Sequence, residues 1–215
     1  IEDVQKNVFL LPKVLSRALA RAPDVHLTVV GSGPDADRLR QRFRAEGLDG
    51  RFELAGRIEP GHVPDVLRAQ GVFLLPSRFE GSSNSTLEAM ASGCVPILSR
   101  LPGITDEMVE DGESGFLCAP GDWRAMGDAW SGLVRRAADW ERMRHAARER
   151  VVARYALERM GTAYARLFRT VVEEPDLRPA ARSLADYALD SRLGASWRRW
   201  IPEGAKKRMR TWAAR

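Results

Sequence analysis

Two glutamates, Glu80 and Glu88, stand with seven residues between them, and the interval opens with a small polar loop, Gly81-Ser82-Ser83-Asn84. A carboxylate accepts two hydrogen bonds at once, which suits a vicinal diol such as a pair of sugar hydroxyls. Ser83 and Asn84 are both good helix N-caps, so a helix opens near them and leaves free backbone N–H groups at its start. Such groups take phosphate oxygens, and the lack of a side chain at Gly81 lets a ligand approach the backbone closely. A diphosphate at the helix start then has one acid on each side, Glu80 in the loop and Glu88 about one turn into the helix. That layout fits a nucleotide sugar.

The elements that must position these groups alternate. Lys6 to Arg21 carries Val8, Leu11, Leu15, Ala18 and Leu19 at helical spacing, and the apolar run Val25 to Val30 reads as a strand ending at Gly31-Ser32-Gly33-Pro34. A charged amphipathic helix follows over Asp35 to Glu46, then a strand over Phe52 to Gly56 and a short helix over His62 to Ala69. Val72 to Leu75 is a buried strand stopped by Pro76, and Val95 to Leu98 is the strand after the motif helix. Alternation of this kind specifies an α/β fold, a Rossmann-like, doubly wound parallel sheet covered on both faces. Ligands of such sheets bind beyond the carboxyl ends of the strands. The candidate residues fall there: Gly31 to Gly33, Gly56-Arg57-Ile58 and Ser77 to Asn84.

Composition sets the outer limits. The chain has 215 residues, 44% hydrophobic and 29% charged, enough for one full domain and additional helices. No apolar stretch approaches the ~18 residues of a membrane-spanning helix. The net charge of +5 is unevenly placed, because residues 176–215 hold ten basic and four acidic side chains while the rest is close to neutral. A nucleic-acid footprint is therefore not expected, since the basic excess belongs to the tail. Cys94 and Cys118 lack metal-ligand spacing and read as reduced structural thiols in a cytosolic compartment. His26, His62 and His145 have no partners at catalytic or metal spacing. The first residue is Ile1, without a signal-peptide pattern, which suggests a cut domain or partial reading frame.

The segment Glu80-Gly81-Ser82-Ser83-Asn84-Ser85-Thr86-Leu87-Glu88-Ala89-Met90-Ala91-Ser92-Gly93 resembles the donor motif of retaining glycosyltransferases of family 4. Further pieces follow in that family's order: Cys94 to Ser99, Pro102 to Val109, Asp111 to Leu117 and Pro120-Gly121-Asp122. The resemblance covers roughly residues 1 to 170. It implies the C-terminal, donor-binding half of a GT-B fold, with the acceptor held by another Rossmann-like domain ahead of Ile1. It also implies transfer of a hexose from a nucleotide-diphosphate sugar, with retention, to a glycan or lipid-linked acceptor. In this family the first glutamate, here Glu80, contacts hydroxyls of the transferred sugar, and the second, Glu88, holds the ribose. Lys6 matches a lysine that neutralises the leaving diphosphate, and the arginine of that pair would stand just before Ile1. Gly81, Ser82, Ser83 and Asn84 bind phosphate and sugar, Arg57 and Ile58 fall where backbone reads the base, and Gly33 lines the donor site. Read by itself, the Gly31-Ser32-Gly33-Pro34 stretch is simply a tight strand-to-helix turn, since it lacks the third glycine of a dinucleotide fingerprint. No cofactor or metal is expected, because no paired-aspartate metal motif is present.

Two rivals remain at this stage, a GT-B nucleotide-sugar epimerase and a non-catalytic binding or membrane-docking domain. The donor-binding domain with its helices is assigned to 1–172 and a basic, Trp-containing, helical extension to 173–215. In the extension, Trp197, Trp200 and Trp212 interleave with Arg198, Arg199, Lys206, Lys207, Arg208 and Arg210. Two readings stay open there: attachment of 193–215 to an anionic membrane surface at the cytoplasmic face, or an arm packing on the other domain.

Overall fold

The computed structural model describes residues 1–174. The basic extension and its tryptophans therefore lie outside the described residues. The chain divides into two compact units, Ile1–Ala163 and a second beginning at Tyr164.

The first unit opens with a short helix α1 (Asp3–Lys6), a 3-10 turn over Val8–Leu10 and helix α2 (Leu11–Leu19). The single helix expected from Lys6 to Arg21 is broken at Asn7, whose φ of 52° lies in the left-handed region that asparagine tolerates. Side chains fix the break: Asp3 accepts from the Phe9 backbone N–H at 2.9 Å, and Asp35 accepts from that of Asp3 at 2.9 Å. Strand β1 (Leu27–Val30) leads to α3 (Ala36–Ala45) and β2 (Phe52–Gly56), which pairs with β1 in parallel. A turn at Pro60–His62 and α4 (Val63–Arg68) lead to β3 (Val72–Leu75) and α5 (Asn84–Ala91). Then come β4 (Val95–Ser99), α6 (Thr105–Met108), β5 (Phe116–Cys118), α7 (Trp123–Arg135) and α8 (Ala137–Tyr155). Strands β3, β4 and β5 form a second parallel sheet in that order.

The mixed α/β architecture with parallel strands is the one the sequence specifies. Burial explains its stability. One core gathers Val14, Leu15, Leu39, Phe43, Ile97 and Met126, and a smaller one gathers Leu75, Met90, Leu98, Val109 and Val151. Helices α2 and α7 approach so closely that a β-carbon at Gly127 would stand 2.6 Å from Arg17 side-chain carbons and 2.9 Å from the Val14 carbonyl oxygen. Beside that contact Arg17 donates two hydrogen bonds to the Asp128 carboxylate, at 2.9 and 3.0 Å. The bidentate pair holds Asp128 below the usual carboxylate range and raises Arg17. Both cysteines are free and buried, and burial pushes each thiol up to about 11. A final helix, α9, spans Leu157–Glu173, and on its part within the second unit the Tyr164 and Phe168 rings lie 5.8 Å apart. Among the described residues no helix is long and apolar enough to cross a membrane.

Candidate functional site

Glu80 is buried, not a surface loop acid. Its carboxylate is 4% exposed and receives three donors. Lys6 Nζ and Ser77 Oγ both approach Oε1 at 2.7 Å, and Gln5 Nε2 approaches Oε2 at 3.3 Å. A carboxylate offers about four acceptor positions, so one remains for a ligand hydroxyl, on the Oε2 side. Lys6 is 40% exposed and keeps two of its three N–H donors clear of Glu80. An ammonium so placed is both anchored and available to an anion.

Two segments far apart in sequence make this arrangement. The turn after β3 supplies Ser77 and Glu80, and α1 supplies Gln5 and Lys6. They are laced together, since the Arg78 backbone N–H donates to the Gln5 carbonyl at 2.8 Å and the Arg78 guanidinium pairs with Asp3 at 3.2 Å. The break at Asn7 turns α1 away from α2 and toward this loop. Sequence reading missed Gln5 and Asp3, and it put Ser77 and Arg78 at the strand end without giving either a role. Neither Gln5 nor Asp3 carried a local signal, because their partners lie far away in the chain.

Helix α5 begins at Asn84, as expected, with Ser83 at the cap position. Ser83 is buried, and its hydroxyl is 2.7 Å from that of Thr86, so its side chain does not cap the helix. Gly81, Ser82 and Asn84 are exposed, with Ser82 Oγ donating to Asn84 Oδ1 at 3.3 Å. Glu88 is exposed one turn into α5 and borders the same cavity as Lys6, Gln5 and Ile58. Arg57 is exposed at the end of β2. Gly33 packs against the Ile1 backbone so tightly that no β-carbon would fit. The structure thus brings Lys6, Glu80, Glu88 and Ile58 to one end of the strands, with Arg57 exposed just beyond β2. Among the described residues no cluster of three or more His, Cys, Asp or Glu side chains is placed to hold a metal.

A family model described as glycosyl transferases group 1 matches residues 1–136. The chain belongs to this family. One similar protein is the 2-deoxystreptamine N-acetyl-D-glucosaminyltransferase of Niallia circulans, 30% identical over 132 residues that cover 61% of this chain and 34% of the relative. The C-terminal domain of a group 1 glycosyltransferase, LpcC from Francisella tularensis, superposes with a TM-score of 0.66 at 25% identity, covering 73% of this chain and 83% of that one. Anabaena HepE, solved in complex with UDP-glucose, superposes with a TM-score of 0.66 at 22% identity, covering 74% of this chain and 44% of HepE. These likenesses make the fold that of a GT-B glycosyltransferase C-terminal domain. The chain spans between about a quarter and just over a third of the length of these curated relatives.

Proposed function

We propose that this chain is the donor-binding half of a retaining hexosyltransferase that uses a nucleotide-diphosphate sugar. One observation carries the reading: Glu80 is buried and triply bonded beside the exposed Lys6, at the start of α5. Diphosphate oxygens accept from the free N–H groups at the beginning of α5 and from Lys6. Glu88 takes the ribose diol, and the remaining lone pair of Glu80 takes a hydroxyl of the hexose. As the bond from the anomeric carbon to the diphosphate lengthens, negative charge grows on the leaving oxygen. The Lys6 ammonium and the helix start are already aimed there, so they stabilise the transition state more than the ground state. Glu80 holds Lys6 in that position, a role served without metal. Retention rests on the family resemblance.

The acceptor, a glycan or lipid-linked hydroxyl, is held by a partner domain. We place the enzyme on the cytoplasmic side, in keeping with two free, buried thiols. Calorimetric titration with UDP-, GDP- and ADP-sugars tests the donor site, with Glu88→Ala as control. Binding of one nucleotide class that is lost in the variant supports the reading. Failure to bind by a folded chain carrying its upstream domain overturns it.

A further inference from the structure

A second concavity, of about 670 Å³, lies at the amino end of β5, opposite the end of the sheet that carries the donor loops. The last turns of α7 and the first turns of α8 wall it, with Arg21 beyond α2 and Gly112 ahead of β5. None of its lining residues belongs to the site around Glu80. Phe116, Leu133 and Met143 give it an apolar floor, the last two buried. Gly132 adds room, since a β-carbon there would meet nothing within 4 Å. The volume falls in the range of about 300–1,000 Å³ usual for small-molecule sites.

Four guanidinium groups rim this cleft, those of Arg21, Arg135, Arg136 and Arg142. The carboxylates that meet them are Asp128, Asp139 and Glu113, and they do not neutralise the rim. Asp128 gives both oxygens to Arg17, at 2.9 and 3.0 Å, so Arg21 reaches it only as a second partner at 3.3 Å. Asp139 stands 3.7 Å from Arg136, beyond hydrogen-bond distance. Glu113 takes Arg142 at 2.9 Å. Arg135 is exposed and has no carboxylate partner among the described residues. With Arg17 included, five guanidinium groups face three carboxylates, which leaves two positive charges in excess. The frame beneath them is stiff, because α2 and α7 touch at Gly127 and are locked by the Arg17–Asp128 pair.

The arrangement of the charges narrows the ligand. Arg21 comes from the end of α2, Arg135 and Arg136 from the junction of α7 and α8, and Arg142 from the second turn of α8. Groups that converge from three elements suit an acceptor with oxygens in several directions. A carboxylate accepts in one plane and carries one charge. A phosphate monoester presents three oxygens around a tetrahedron and carries nearly two charges, and guanidinium groups pair with it bidentately. We propose that this cleft binds a small phosphate monoester, its phosphate on Arg21, Arg135 and Arg136 and its organic part over Phe116 and Gly132. A phosphate alone would fill only a small part of the cleft, so the organic part is of the size of a sugar. The ligand is distinct from the donor, because the donor residues lie at the carboxyl ends of the strands.

The test follows backbone amide resonances of the chain during titration with inorganic phosphate, glycerol 3-phosphate and ribose 5-phosphate, with glycerol and ribose as phosphate-free controls. Gly112, Gly132, Arg135 and Arg136 should shift saturably with the three phosphates alone, and ribose 5-phosphate should bind tightest. Replacing two exposed side chains together, Arg135→Gln and Arg136→Gln, should weaken all three at least about tenfold. Gly132→Leu keeps every charge and fills the floor, so it should weaken ribose 5-phosphate and spare inorganic phosphate. No saturation by about 10 mM, where a millimolar site is filled, overturns the proposal. So does full affinity in the double variant, or shifts confined to Lys6 and the start of α5. Sedimentation with phosphatidylglycerol vesicles separates the other source of phosphate: vesicle binding that the double variant abolishes overturns the soluble ligand and assigns the arginines to a lipid headgroup. UDP titrated in the same spectra reports the donor site separately, so failure here leaves the donor reading untouched.

Discussion

Replacing Glu80 with glutamine removes one charge while preserving shape, and its consequences follow from three distances. Glutamine keeps one acceptor oxygen at the position of Oε1, where Lys6 and Ser77 both donate at 2.7 Å. Its amide nitrogen takes the position of Oε2 and meets the Gln5 nitrogen, now 3.3 Å from that oxygen, which the Gln5 amide relieves by flipping. The main loss is therefore the charge assistance to the Lys6 bond. Charge-assisted hydrogen bonds contribute about 1.5–3 kcal/mol and neutral ones about 0.5–1.5 kcal/mol. Lys6 is 40% exposed, so water replaces part of what is lost. The expected cost is about 1–2 kcal/mol of stability, a fall in Tm of about 2–8 °C for a chain of this size. Urea unfolding of Glu80→Gln, Lys6→Met and the double variant closes a cycle, and m should stay constant across the set. A coupling of about 1 kcal/mol or more fits a positioned pair. Coupling within about 0.3 kcal/mol of zero in folded variants would refute the idea that Glu80 holds Lys6.

Other sites give independent checks. Glu88→Ala should leave Tm unchanged, since the side chain is exposed, while weakening donor binding at least about tenfold by calorimetry. Gly127→Ala places a β-carbon 2.6 Å from Arg17 carbons, and thermal unfolding should show a loss of about 1–3 kcal/mol as α2 and α7 are forced apart. Cys94 and Cys118, both pushed up to about 11 by burial, should resist a thiol reagent at pH 8 in the native chain and react at once in denaturant. The same shift makes the unfolded thiols ionise first, so their contribution to stability is lost as pH rises from about 8.5 toward 11. Asp128 has the opposite sign: its folded carboxyl is held down by Arg17, so its contribution is present above the ordinary aspartate pKa and lost as pH falls through the depressed one. Asp128→Asn should flatten the acid limb of a stability–pH curve.

What the sequence reveals, and where it stops, follows from how far apart the deciding partners lie. Strands Phe52–Gly56 and Val72–Leu75 were legible to the residue because apolar runs end at glycine or proline, a local signal. The start of α5 at Asn84 was legible from residue types that favour helix starts, although the Ser83 hydroxyl meets Thr86 instead of capping. The break at Asn7 was not, because its left-handed turn is enforced by Asp35, 32 residues away from the Asp3 backbone it holds. The burial of Glu80 was illegible too, since Gln5 and Lys6 come from 75 and 74 residues away. The split sheet belongs to the same class. An apolar run declares that a strand is buried, but it does not say by which neighbour.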